Sequence, residues 1–216
     1  MRNGVKWRRL PEERPQQILE AAFEVFGEHG LAGARLEDIA RRAGVAKGTI
    51  YLYFPNKEAL FKEMIRQTVI AHLERSERDF VADRGASATD QLRDYMRGLW
   101  SLTRSPAYQV VMRLVIAELQ RFPELMAFYW DEVVSRKRQF LDRLFRRGIE
   151  AGEFRPIDPH VAGRMMASMF AMHALWVSSG VCAPTPPTTD EELFEQLTDF
   201  FFHAVAPVGA IAPGSA

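Results

Sequence analysis

Lys47, Thr49, Tyr51, Tyr53 and Lys57 bring two ammonium groups and three hydroxyls into one short segment, with Gly48 among them. Chemistry of this kind suits recognition of nucleic acid: lysine reaches the guanine N7 and O6 acceptors, while hydroxyls and ammonium groups fix register on phosphates. Apolar residues in the same stretch set the geometry. Ile39, Ala40, Val45 and Ile50 recur so as to hold two short helices together. That leaves Lys47, Gly48, Thr49, Tyr51 and Tyr53 facing outward at the front of the second helix, where such a face can enter a major groove. Gly44 sits at the turn between the helices, where a positive φ costs glycine little. The segment Leu36 to Phe54 therefore has the spacing of a helix-turn-helix.

The elements around this motif are also helical. Ile18, Leu19, Ala22, Phe23 and Phe26 form one stripe, opened by Pro11 to Pro15 and stopped at Gly30. A long helix is expected from Lys57 to Val81, ended by Arg84-Gly85-Ala86-Ser87. Further helices are expected near residues 89–104, 106–122, 124–151, 158–180 and 189–206, punctuated by Pro106, Pro123, Gly152, Pro156, Pro159 and the prolines from 184 to 187. No stretch shows the sustained alternation of a half-buried strand, so the chain reads as all-α. The expected organisation is a basic arm over 1–10, a helix-turn-helix domain over 11–56, a ligand-binding and dimerisation domain over 57–206, and a disordered tail over 207–216.

Composition narrows the functional class. The 216 residues carry 28 Lys+Arg against 28 Asp+Glu, ordinary for a globular chain, but the first ten residues are charged only by Arg2, Lys6, Arg8 and Arg9, which suits an arm near a polyanion. A single cysteine, Cys182, leaves no disulfide framework within one chain and no cysteine cluster for a metal. His29, His72, His160, His173 and His203 lack metal-ligand spacing, and there is no nucleophile elbow. The Lys-Gly-Thr order at residues 47–49 is wrong for a phosphate loop, and no strand precedes it. We expect neither an enzyme nor a cofactor. A helical adaptor that binds a protein through the same small helices is the alternative, separable from a DNA binder by salt dependence.

Met165 to Thr189 contains no Asp, Glu, Lys or Arg. Ser168, His173, Ser178, Ser179 and Gly180 argue against a membrane span there. A helix apolar all round must be covered all round, so we expect one side on the chain's own core and the other on a second copy, in a twofold homodimer. A partly apolar effector pocket is expected from Trp100, Tyr108, Met112 and Tyr129, with Met169 and Trp176 on a later helix. Trp130 and Met172 fall on the same expected inward faces. Glu118 and His173 lie on apolar stripes. They either orient a ligand's polar end or bond internally.

The string Ala-Gly-Val-Ala-Lys-Gly-Thr-Ile-Tyr-Leu-Tyr-Phe-Pro-Asn-Lys-Glu-Ala-Leu, within Ile18 to Leu60, closely resembles the DNA-binding region of TetR-family transcriptional regulators. The rest resembles that family only in helix count, length and apolar character. The resemblance implies a nine-helix cytoplasmic homodimer that binds a palindromic operator as a repressor and is released by a small molecule. It places Lys47 and Gly48 near base edges and Thr49, Tyr51, Tyr53 and Lys57 on phosphates. The chain departs from the family where hydroxyl residues often precede the second and third helices: Ala34 and Ala46 stand there. Arg35 and the basic arm are expected to take over some backbone anchoring.

Overall fold

A computed structural model describes residues 13–83, 85–179 and 189–207. Among the described residues there are nine helical rods and no strand. The first, α1 (Arg14–Gly33), starts with proline in its first turn and breaks at Gly30, whose φ of 70° and ψ of 173° lie outside the helical region. It buries Ile18, Leu19, Ala22, Val25 and Phe26, the stripe expected from spacing. Next comes α2 (Leu36–Ala43), with Glu37 and Asp38 in its first turn and Arg41 and Arg42 in its last, each sign matching the helix dipole. Gly44 then takes the left-handed conformation (φ 63°) and turns the chain into α3 (Lys47–Tyr53). Neither Arg35 before α2 nor Ala46 before α3 makes a side-chain cap.

The fourth rod, α4, opens at Lys57–Ile65, where Asn56 Oδ1 accepts from the Ala59 N–H at 2.8 Å. It continues through a π-helical turn at Arg66–Ile70 into Ala71–Ala82. Helix α5 (Ala88–Thr103) is capped by Ser87, while the Glu153 carboxylate accepts from the Ala88 and Thr89 N–H groups at 3.0 and 2.8 Å. Ser105 and Pro106 start α6 (Pro106–Glu118), which tightens into a 3₁₀ turn at Leu119–Arg121. Rod α7 runs Pro123–Tyr129, passes a second π-helical turn at Trp130–Ser135 and ends as Arg136–Glu150. Two more helices follow, α8 (Pro159–Ser179) and α9 (Asp190–Val205), the latter opened by a Thr189/Glu192 capping box.

The helices share two apolar cores. One holds α1 to α3 together with the start of α4 and continues into α6 and α7 through Tyr108, Val111, Leu114, Leu125 and Val133. The other joins the later part of α4 to α5, α7, α8 and α9 around Leu92, Trp100, Phe140, Phe145, Phe170 and Phe194. The boundary expected at residue 56 thus crosses a continuous core. No described helix is long and apolar enough to cross a membrane. The basic arm over 1–10, Cys182, the proline cluster and all but the first residue of the expected tail lie outside the described residues.

Candidate functional site

Two devices lock α2 and α3 onto the molecule. The Arg42 guanidinium bridges Glu24 and Glu28 of α1 at 2.7 and 2.8 Å, and Gln17 Nε2 donates to the Ala43 carbonyl at 2.6 Å. Ile50 is fully buried as the inner anchor of α3. The outer face of α3 is uncovered: Tyr51 is 49% exposed, Leu52 79% and Tyr53 38%, and a Cβ added at Gly48 would meet nothing within 4 Å. Arg35 and Lys47 are exposed and Thr49 is half-buried. Leu52 was not singled out from sequence because the pattern reads it as a core leucine. Its exposure makes it an apolar neighbour for a thymine methyl if α3 lies in a groove.

Lys47 is not free. Its ammonium pairs with the Glu37 carboxylate from α2 and lies 5.8 Å from the Tyr51 ring centre. The pairing holds Glu37 below and Lys47 above its ordinary value, with hydrogen bonding the largest cause on both sides. Lys57 is engaged too: its ammonium donates to the Ala32 and Ala34 carbonyls at 3.0 and 3.3 Å. The bond ties the start of α4 to the turn before α2.

The expected effector residues do not converge on one pocket. Tyr108, Met112 and Tyr129 line a mostly enclosed cavity of about 40 Å³, and the Tyr129 hydroxyl donates to Met112 Sδ at 3.7 Å. Glu118 turns away from it: its carboxylate accepts from the Leu31 and Ala32 N–H groups at 3.1 and 2.8 Å, so the internal alternative holds. Gly30 is needed for this approach, since a Cβ there would lie 2.3 Å from Glu118 Oε1. His173 stacks on buried Trp100 with ring centres 4.5 Å apart, and burial lowers its pKa. Neither ring, nor Met169, lines the cavity, and Met169 packs on the second core. Trp176, Trp130 and Met172 are 47%, 54% and 46% exposed, which corrects their expected inward orientation.

Other residues supply the cavity's polar wall. His72 and Lys137, from α4 and α7, line it with Tyr95 of α5. His72 Nε2 is buried with no hydrogen-bond partner, and burial, with Arg75 adding to it, pushes the imidazole pKa down to about 4. Burial also holds the Lys137 ammonium below the ordinary lysine range and pushes the Tyr129 phenol up to about 12. Sequence reasoning missed Lys137 because Arg136-Lys137-Arg138 reads as a solvated basic face.

This arrangement, an open-faced helix-turn-helix joined to a helical bundle, defines the class. The family model for bacterial regulatory proteins of the tetR family matches residues 18–64, and one for the tetracyclin repressor-like C-terminal domain matches residues 81–200. The chain belongs to the TetR family of DNA-binding transcriptional regulators. It is 30% identical over 193 residues to the HTH-type transcriptional regulator RutR of Escherichia coli strain K12, covering 86% of this chain and 85% of that protein. It is 29% identical to the fatty acid metabolism regulator protein of Bacillus subtilis over 73% of this chain and 80% of the relative. The fatty acid degradation regulator FadR from Bacillus halodurans shares the fold (TM-score 0.73, 24% identity, 90% of this chain and 96% of that one). FadR from Bacillus subtilis in complex with stearoyl-CoA matches with a TM-score of 0.68 and 25% identity over 88% of this chain and 98% of its own.

Proposed function

We propose that this regulator is a ligand-released repressor that binds a palindromic operator as a homodimer in the cytoplasm, with no catalytic step. The observation that carries the reading is the uncovered face of α3, where Gly48 stands open beside Lys47, Tyr51 and Tyr53 while Ile50 anchors the helix from behind. In this reading Lys47 and Gly48 approach base edges. Arg35, Thr49, Tyr51 and Tyr53 contact phosphates, and Lys57 acts chiefly by fixing the turn before α2.

Dimerisation is supported by an apolar stripe along α8. Val161, Met165, Met172 and Trp176 stand 49%, 55%, 46% and 47% exposed at helical spacing, and Phe200 of α9 is 72% exposed. Pairing two copies through it would cover these side chains, as twofold assembly requires. Residues 11–56 then serve as the DNA-binding unit and 57–206 as the effector and dimerisation unit. A partly apolar effector is supported by the aromatic and aliphatic cavity lining, and by the stearoyl-CoA held by the Bacillus subtilis relative.

The test is footprinting of the purified protein on the DNA flanking its own gene, followed by a screen for small molecules that abolish the footprint. A protected palindrome with half-sites about 34 to 36 Å apart, or slightly more, supports the reading. Salt-insensitive binding to a protein, with no protected DNA, would favour the adaptor instead.

A further inference from the structure

The inner cavity contains a cation with nothing to neutralise it. The residues three and four positions from Lys137 along α7 are Val133, Val134, Phe140 and Leu141, none of which can pair with it. Among the described residues Lys137 makes no hydrogen bond or ion pair. It reaches the cavity beside His72, whose Nε2 is also unpartnered, and beside Tyr129, whose hydroxyl has only a thioether for an acceptor. Buried polar groups normally carry partners, and a buried ammonium with none is costly. Two donors and one phenol thus converge on one small space with no carboxylate among its lining residues.

The surrounding structure is suited to admit a guest. Both π-helical turns face this space, through Val69 and Val133, and such turns within helices recur at functional sites. A volume of about 40 Å³ has room for a few waters, so a guest must be compact and must push its walls apart. The larger groove outside, about 340 Å³, carries Asp79, Asp83 and Asp94 against Arg75, which leaves an anion no advantage there.

We infer that the effector is a compact apolar monocarboxylate whose head pairs with Lys137 and His72 inside the cavity while its body lies between the two π-helical turns. The inference rests on the effector-regulated reading above and adds the ligand's charge and size to it. Tyr108 and Met112 of α6 line the same cavity, and the far end of that helix carries Glu118, so a guest that spreads the walls acts on the helix bonded to the DNA-binding unit.

Calorimetric titration of the DNA-free protein with hexanoate, 1-hexanol and hexylammonium, each in chloride-poor buffer, tests this directly. The inference requires hexanoate to bind the wild type at least about tenfold more tightly than either control, and Lys137→Met to lose that preference. Ligand-free Lys137→Met should melt no lower than the wild type, since it removes an unpaired charge from an apolar site. Equal binding of 1-hexanol, undiminished hexanoate binding by Lys137→Met, or no hexanoate binding by a protein that still protects its operator would each overturn the inference, the last leaving the repressor reading intact. Hexanoate that binds through Lys137 without loosening the operator complex sustains the site and contradicts ligand release.

Discussion

Glu118 and Lys57 grip the same turn from opposite sides. The carboxylate takes the N–H groups of Leu31 and Ala32, while the ammonium gives to the carbonyls of Ala32 and Ala34. The two side chains come from α6 and α4, so the turn that leads into α2 is positioned by the helices behind it rather than by its own sequence. Arg113 adds a third tie from α6, donating to the Gly27 carbonyl at 2.9 Å. Helix α6 thus lines the cavity at one end and holds the DNA-binding unit at the other.

Glu118→Ala is expected to destabilise the fold by about 1 kcal/mol in urea unfolding, because it strands two backbone donors of which one is exposed enough to find water. Its larger effect is expected on regulation: an effector that releases wild-type protein from DNA should release the variant less well. Gly30→Ala should lose about 1 to 3 kcal/mol, since φ 70° with ψ 173° is a conformation reserved to glycine and the new methyl would displace Glu118. A Gly30→Ala protein as stable as the wild type would show that Glu118 does not define the turn.

Gly48→Ala should separate folding from recognition. Nothing lies within 4 Å of the added Cβ, and alanine is favoured over glycine in a helix, so the melting temperature should rise by an amount equivalent to a few tenths to 1 kcal/mol. Operator affinity should fall at the same time, because the methyl stands where α3 must approach the bases. If affinity is unchanged in a titration by fluorescence anisotropy, Gly48 does not face the groove.

Much of this was readable beforehand, and the omissions have physical causes. Gly30 and Gly44 ended their helices as expected because positive φ is written into residue type. The inward faces of α7 were misjudged at Trp130 because its π-helical turn adds residues to the turn and rotates everything beyond it relative to a 3.6-residue period. The same shift accompanies Lys137 in the cavity wall. Trp176 and Met172 are apolar in a way that pattern cannot divide between an inner core and an intermolecular face. Glu118 was legible as a polar residue on an apolar stripe, yet its partners lie 86 and 87 residues away along the chain.

Charge around α3 gives a third set of expectations. Glu37→Gln frees Lys47 from its ion pair, which should strengthen binding to random-sequence DNA and reduce discrimination in favour of the operator. Arg35→Gln and Arg8→Gln should each flatten the log–log salt dependence of operator affinity by about 0.9 unit if each residue neutralises one phosphate. An unchanged slope in anisotropy titrations across salt would remove that residue from the backbone contacts.

His72 should make stability depend on acid. Its folded pKa of about 4 lies below the ordinary histidine value near 6.5, so the fold favours the neutral ring. The corresponding stability is complete above about pH 6.5 and is lost progressively as pH falls toward 4, by up to about 3 kcal/mol. Urea unfolding of the wild type and His72→Gln at pH 7 and pH 4.5 measures it: the gap in pH dependence between the two proteins should approach that amount. Parallel behaviour would mean the ring titrates normally.

The regulator reading is most directly tested by anisotropy titration of a fluorescent duplex carrying the footprinted palindrome, against a scrambled duplex, over a range of salt. Two chains per duplex, a strong preference for the palindrome, and affinity that drops at least about a thousandfold between 50 and 200 mM salt, as six or more phosphate contacts require, are expected. Equal affinity for both duplexes, or binding that salt leaves untouched, would contradict the assignment of α3 as the element that reads DNA.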